Sequence, residues 1–262
     1  MAITLKSPQQ VALLRDAGRI VAETYEELAP HVVPGVTTAE LDRIAEAAIR
    51  KRGALPMYKG YGALSDKRGR LVRPPFPATI CVAINEVICH GIPSSREELR
   101  DGDIIGIDIG ARYKGWIGDS CRTFAVGNVD RESQRLMDVA RRCLELGIEQ
   151  ARPGNHLGDI GAAIQTYAEA QGFSTVRELG GHGVGRELWE EPFVQHFGVP
   201  GTGVAIRAGM VFTIEPMINA GGPEIRQLPD HWTIATADGQ RSAQYEHSMV
   251  ITDDGAELLT VL

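Results

Sequence analysis

The sequence predicts a mixed α/β fold made of two related halves, and three observations carry that expectation. Helical and strand periodicities alternate along the chain, a helix-then-acidic-strand unit occurs twice, and no linker or low-complexity stretch divides the 262 residues. Residues 1–262 are therefore read as a single domain, a length ordinary for an α/β protein.

The elements follow from local signals. Ser7-Pro8-Gln9-Gln10 supplies an N-cap, a proline at the first helical position and a capping-box glutamine. Apolar residues then recur at helical spacing (Val11, Leu14, Ala17, Ile20, Val21, Tyr25, Leu28) up to Pro30. Thr37 with Glu40 forms a second capping box, opening a helix that runs through Ile49 and ends near Gly53. Further helices are expected at 131–151 and 157–171, the second closed by Gly172. β-Branched runs predict strands at 78–85, 103–112, 116–126, 211–219, 232–236 and 244–252. The least regular stretch is Ala63 to Pro75, whose cations Lys67, Arg68, Arg70 and Arg73 read as a solvated loop.

The halves show themselves as a weak repeat. Pro34-Gly35 precedes a helix ending at Gly53, and Pro153-Gly154 precedes one ending at Gly172, with the same spacing of 18 between glycines. Leu99-Arg100-Asp101-Gly102 leads to Asp108 and Ile206-Arg207-Ala208-Gly209 leads to Glu215, each acid six residues after its glycine. Occurring together and in order, these matches predict a pseudo-twofold with one acid from each half at a shared central site.

Bulk properties narrow the function classes. A net charge of −7 argues against nucleic acid or an anionic membrane as the main partner. Cys81, Cys89, Cys121 and Cys143 match no zinc-ribbon or CxxC redox spacing. No hydrophobic run follows Met1 and no apolar stretch has membrane-spanning length, so a cytoplasmic protein with reduced thiols and no signal peptide is expected.

Chemistry concentrates in Asp108, Asp119, His182, Glu215 and Glu246, an oxygen-rich set suited to two divalent cations held close together. Asp108 and Asp119 lie on two strands joined by a tight turn around Tyr113-Lys114-Gly115. A turn centred between Tyr113 and Lys114 makes the two acids directly opposed, with Cβ atoms about 5 Å apart. His182 sits among Gly180, Gly181, Gly183 and Gly185, which permit close backbone approach; a structural histidine fits that loop as well as a ligand does. Glu215 in Phe212-Thr213-Ile214-Glu215-Pro216 and Glu246 in Gln244-Tyr245-Glu246 repeat the theme of an acid in an apolar strand. Singly, an arginine partner would account for either. Four such acids with one imidazole are most economically explained by a shared metal site. His90, in Cys89-His90-Gly91-Ile92-Pro93, is a turn histidine unless the fold carries it to that site.

In order and spacing these motifs resemble the bacterial type I methionine aminopeptidases over nearly the whole chain. The resemblance rests on Phe76-Pro77-Ala78-Thr79-Ile80-Cys81 with Asn85-Glu86, Cys89 to Pro93, the Asp108/Asp119 hairpin, Gly181 to Gly185, Thr213 to Pro216 and Gln244 to His247. It implies a pita-bread fold, a pseudo-twofold antiparallel sheet with helices on its outer face. It also implies two divalent ions (Co, Mn, Fe or Zn). Asp108 and Asp119 would hold one, His182 and Glu215 the other, with Asp119 and Glu246 bridging. By the same resemblance Glu215 shuttles a proton, His90 contacts substrate near the scissile amide, and Tyr58, Tyr61, Phe76, Cys81 and Trp232 form a methionine pocket. The implied substrates are N-terminal Met peptides and nascent chains, with the ribosome as a candidate partner and a monomer as the working unit.

Two departures stand out. Trp189 occupies the place of the family's second histidine, which contacts the substrate carbonyl, and Leu188 replaces a common aromatic pocket residue. His196 matches a separate family histidine, so it does not substitute. Residues 63–75 form a basic insertion between Tyr61 and Phe76. The competing expectations are an X-Pro-type pita-bread peptidase, a creatinase-like non-metal hydrolase, and a non-catalytic binding module of ribosome- or histone-associated type.

Overall fold

The computed structural model describes residues 2–262, so the expectation at Met1 lies outside the described residues. The four α-helices form where the sequence predicts them. α1 spans Pro8–Leu28, and Ser7 and Gln10 complete a reciprocal capping box at its start. It stops before Pro30, where the chain tightens into a 3₁₀ turn, Ala29–His31. α2 spans Thr38–Lys51; the Thr37 hydroxyl accepts from the Glu40 amide at 3.2 Å, while the Glu40 carboxylate pairs with Arg43 instead of closing a box. α3 is Arg131–Gln150 and α4 is Leu157–Ala170.

The repeat is real in the backbone. Gly35 and Gly154 have φ of 91° and 94°, Gly53 and Gly172 of 73° and 80°, and Gly102 and Gly209 of 93° and 87°. These left-handed conformations favour glycine, which is why the repeat survives in the sequence as glycine spacing. Matching isolated bridges join Thr37 to Glu98 in one half and His156 to Ala205 in the other.

In the first half, strand Ile104–Tyr113 pairs antiparallel with Ile80–Ile84 on one side and Trp116–Ala125 on the other. In the second half, Val211–Ile214 lies between Gly181–Gly183 and His247–Thr252, with Glu190–Val194 and Gly255–Leu258 outside them. The helices cover one face. Ile105, Ile107 and Ile109 pack with Val21, Tyr25, Leu41 and Ile49, while Phe212, Ile214 and Met249 pack with Leu136, Ala140 and Ile160. Strand side chains alternate, so Asp108 and Glu215 are turned away from these layers. This is the pita-bread arrangement expected.

A polar seam joins the halves. The Ser120 hydroxyl donates to the Glu246 carbonyl at 2.6 Å, Ser248 to the Asp119 carbonyl at 2.7 Å, and Thr123 to the Gln244 carbonyl at 2.6 Å. Asp119 and Glu246 stand on the two segments stitched together here.

Three expectations need correction. The first concerns hairpin register: Tyr113 pairs with Trp116, so Asp108 faces Cys121 and Asp119 faces Gly110. Lys114 and Gly115 both have positive φ (48° and 79°), the two-residue turn whose twist suits a hairpin, and this moves the turn centre to Lys114-Gly115. The acids are diagonal neighbours on the same face. Second, the strands expected at 211–219 and 244–252 are each interrupted. Pro216 has no N–H for the ladder, and pairing stops after Ile214↔His247 and resumes at Met217↔Gln244 without a change of register. Across that gap Glu215 faces Glu246, a direct opposition of acids that had been expected for Asp108 and Asp119. Third, residues 63–75 are not an irregular loop; Leu64–Ser65 pairs with Leu71–Arg73 as a short exposed hairpin.

Candidate metal centre and active site

The side chains of the site are brought forward by different local causes. Asp108 protrudes from the middle of a long strand, flanked by fully buried Ile107 and Ile109. Glu215 and Glu246 occupy the strand gap, and the Glu246 amide turns instead to the Cys121 carbonyl of the other half at 2.8 Å. His182 is carried by the short strand Gly181–Gly183. A Cβ at Gly181 would lie 2.2 Å from the Thr213 carbonyl oxygen, and one at Gly183 2.3 Å from that of Glu191. Glycine on both sides of His182 is thus what allows three strands to approach closely enough to present the imidazole.

The five groups converge. His182 Nε2 lies 3.7 Å from Asp119 Oδ2 and 3.7 Å from Glu215 Oε1. Ligand atoms of Asp119, His182 and Glu246 lie within 4.8 Å of one another. His182 Nδ1 is 3.1 Å from the Gly183 carbonyl, a contact that fits an Nδ1–H donor and leaves the Nε2 lone pair facing the acids. Thr213 holds two members at once: its hydroxyl donates to Glu215 Oε1 at 2.8 Å and accepts from the His182 amide at 3.0 Å. Gln244 Nε2 donates to Glu215 Oε2 at 3.2 Å.

Charge is the site's unsolved element without a cation. Burial, reinforced by the neighbouring acids, pushes Asp108, Glu215 and Glu246 well above the usual carboxylate range. Burial also raises Asp119, opposed by His182 and Tyr58. Among the described residues no lysine or arginine forms an ion pair with these four acids. Hard oxygen donors with one imidazole, buried or half-buried and mutually repelling, fit divalent cations of the first transition row.

The surrounding cavity has a volume of about 430 Å³, within the range of small-ligand sites. All the residues expected at the site line it: His90, Asp108, Asp119, His182, Glu215 and Glu246, with Tyr58, Tyr61, Phe76, Cys81, Trp189 and Trp232. Phe76 sets its ring edge-on to Trp232, the centroids 5.2 Å apart. His90 is left-handed (φ 56°), and burial followed by the charges of Arg73 and His182 lowers its pKa to about 4. Trp189 stands at the mouth, 41% exposed. His196 is elsewhere: its buried Nε2 accepts from the Glu215 amide at 3.1 Å, behind the acid.

Sequence reasoning missed Arg73, Phe193, His231 and Met217 in the lining. Arg73 was hidden inside a stretch read as loop. The signal available was its position just before the pocket residue Phe76.

The chain is similar to known proteins over nearly its whole length. Residues 12–253 match the model of metallopeptidase family M24. Methionine aminopeptidase 1 of Bacillus subtilis (strain 168) is 46% identical over 258 residues, covering 98% of this chain and 99% of that one. The chain belongs to the methionine aminopeptidases of metallopeptidase family M24. A methionine aminopeptidase from Rickettsia prowazekii superposes with a TM-score of 0.92 at 40% identity, covering 99% of this chain and all of that one (100%). By contrast the prolidase of Pyrococcus furiosus shares the fold alone: TM-score 0.72, 20% identity, with this chain spanning 65% of it. A methionine aminopeptidase of this family is a metal-dependent hydrolase, and the X-Pro and non-catalytic readings are not favoured. No helix among the described residues is long and apolar enough to cross a membrane.

Proposed function

We propose that this methionine aminopeptidase removes the N-terminal methionine of peptides and nascent chains at a centre of two divalent ions, as one catalytic domain. The observation that carries the reading is the convergence of four carboxylates, two buried (Asp119, Glu246) and two half-buried (Asp108, Glu215), and one imidazole Nε2 in a single cavity. Asp108, Asp119, His182, Glu215 and Glu246 would hold the ions, drawn from Co, Mn, Fe or Zn. Bound divalent ions supply Lewis-acid activation of water and of the scissile carbonyl.

The chain's own residues do the rest. Glu215 takes the proton of the attacking water and returns it to the leaving amine; Thr213 and Gln244 fix its orientation through one bond to each carboxylate oxygen. His90, neutral near pH 7 because burial lowers its pKa, acts as a hydrogen-bonding group beside the scissile amide rather than as an acid. Tyr61, Phe76, Cys81 and Trp232, with the ring of Tyr58, enclose the flexible thioether of methionine. Trp189 provides an indole where a proton-carrying imidazole would help the carbonyl, which slows turnover of ordinary substrates. The protein works as a soluble cytoplasmic monomer on chains leaving the ribosome.

The test is methionine release from Met-Ala and Met-Gly peptides by protein loaded with each metal in turn. Release is expected, together with its loss on chelation and in N-acetylated peptides. Glu215→Gln should lower kcat by about 10²-fold or more. If no Met-X peptide is cleaved with any of the four metals, the proposal fails.

A further inference from the structure

Tyr58 does more than wall the methionine cavity. Its hydroxyl oxygen lies 2.5 Å from Asp108 Oδ1 and also contacts Asp119 Oδ1, so it stands between two residues assigned to one ion. A phenol has one proton and can satisfy one carboxylate by donation. The other oxygen–oxygen contact needs a second proton or a positive charge among the three oxygens. A divalent ion held by the same two acids supplies that positive charge in place of the second proton.

The placement is built in. Gly110 is two residues from Asp108 on the same strand face and pairs with Asp119 in the neighbouring strand. A Cβ there would lie 2.8 Å from Tyr58 Cε1, so the missing side chain is the slot that receives the ring. The Met57 amide bonds to the Gly110 carbonyl at 2.9 Å, tying the preceding residue to the same strand. The Phe76 ring stands at 87° to that of Tyr58, the centroids 6.5 Å apart. Tyr58 is 6% exposed. Ring, slot and backbone tie together aim one oxygen at Asp108 and Asp119.

We propose that Tyr58 Oη is an additional oxygen ligand of the ion held by Asp108 and Asp119. On binding, the ion replaces the hydroxyl proton, which leaves to solvent. This rests on the two-metal reading above and adds to it a sixth protein donor, which favours hard-oxygen-preferring ions such as manganese and iron.

The experiment loads the protein anaerobically with Fe(II), oxidises it to the ferric form and records the visible spectrum. A phenolate bound to Fe(III) produces a charge-transfer absorption that a merely hydrogen-bonded phenol does not. We expect the band in the unaltered protein and in Tyr61→Phe, whose ring lines the same cavity, and its loss in Tyr58→Phe. Chelator competition should show Mn(II) bound about tenfold more weakly by Tyr58→Phe. That variant keeps the ring in its slot, and circular dichroism verifies the fold. Stoichiometric metal without the band, with Mn(II) affinity unchanged in Tyr58→Phe, overturns the proposal and leaves the two-metal reading intact. Failure to bind metal at all overturns both.

Discussion

At the scale of single residues, the site is decided by what stands beside each proposed ligand. Gly181 and Gly183 present His182 because any side chain would strike a neighbouring carbonyl, and Thr213 fixes His182 and Glu215 through one hydroxyl. Trp189 is the residue that cuts against this provision. Its indole N–H can donate but cannot accept or carry a proton, and it sits at the cavity mouth, 41% exposed and free to be exchanged without opening the core. A group that both donates to a developing oxyanion and carries a proton is typically worth about 10²–10³ in rate. Trp189→His should therefore raise kcat on Met-Ala and Met-Gly peptides, by roughly tenfold or more, with little change in melting temperature. Steady-state assays with each metal decide it. A variant no faster on any Met-peptide would mean that the tryptophan is no handicap.

At the scale of elements, the 63–75 insertion becomes a device with a defined reach. Arg73 at its end stacks on Trp232, its Cζ 4.4 Å from the ring centroid, and its Nε donates to the Gly62 carbonyl at 2.8 Å. Trp232 Nε1 donates in turn to the Pro74 carbonyl at 2.9 Å. The hairpin is thereby clamped to a pocket wall and holds a guanidinium in the cavity lining. Peptides with Asp or Glu shortly after the methionine should be favoured, and Arg73→Glu should reverse that order by about three- to tenfold in kcat/KM, the worth of a partly exposed charge pair. Unchanged relative rates across a peptide panel would remove the hairpin from specificity. Its pairing was not legible in the sequence because its two strands are only two and three residues long and exposed, with no buried face to leave an alternation. The helices were legible for the opposite reason: Ser7, Thr37 and the left-handed glycines are local requirements, satisfied wherever the element lies. The strand breaks at Glu215 and Glu246 fall between these cases. Pro216 announces the first, whereas the second follows only from the register of the partner strand.

At the scale of the whole molecule, the pseudo-twofold could be read from glycines because left-handed φ constrains residue type. The seam between the halves could not, since Ser120, Thr123 and Ser248 act across more than 120 positions. The same burial that builds the two apolar layers also encloses every cysteine. Burial pushes the Cys143 thiol, between α3 and α4, up to about 12, and raises Cys81, Cys89 and Cys121 well above their usual value. A thiol whose folded pKa exceeds its unfolded one contributes stability below the unfolded value, near 9, and loses it as pH rises toward the folded value. The unfolded chain releases thiol protons that the native one keeps. Cys143 lies in the second-half core, away from the proposed metal ligands, so its share can be isolated. It should account for roughly 2 kcal/mol of stability lost between pH 9 and 10.5. Thermal unfolding across pH 8–10.5 should show a melting temperature that falls more steeply in the unaltered protein than in Cys143→Ala, which starts lower because of its cavity. Parallel curves would show that this thiol ionises as readily in the fold as outside it, which the sealed α3–α4 interface does not allow.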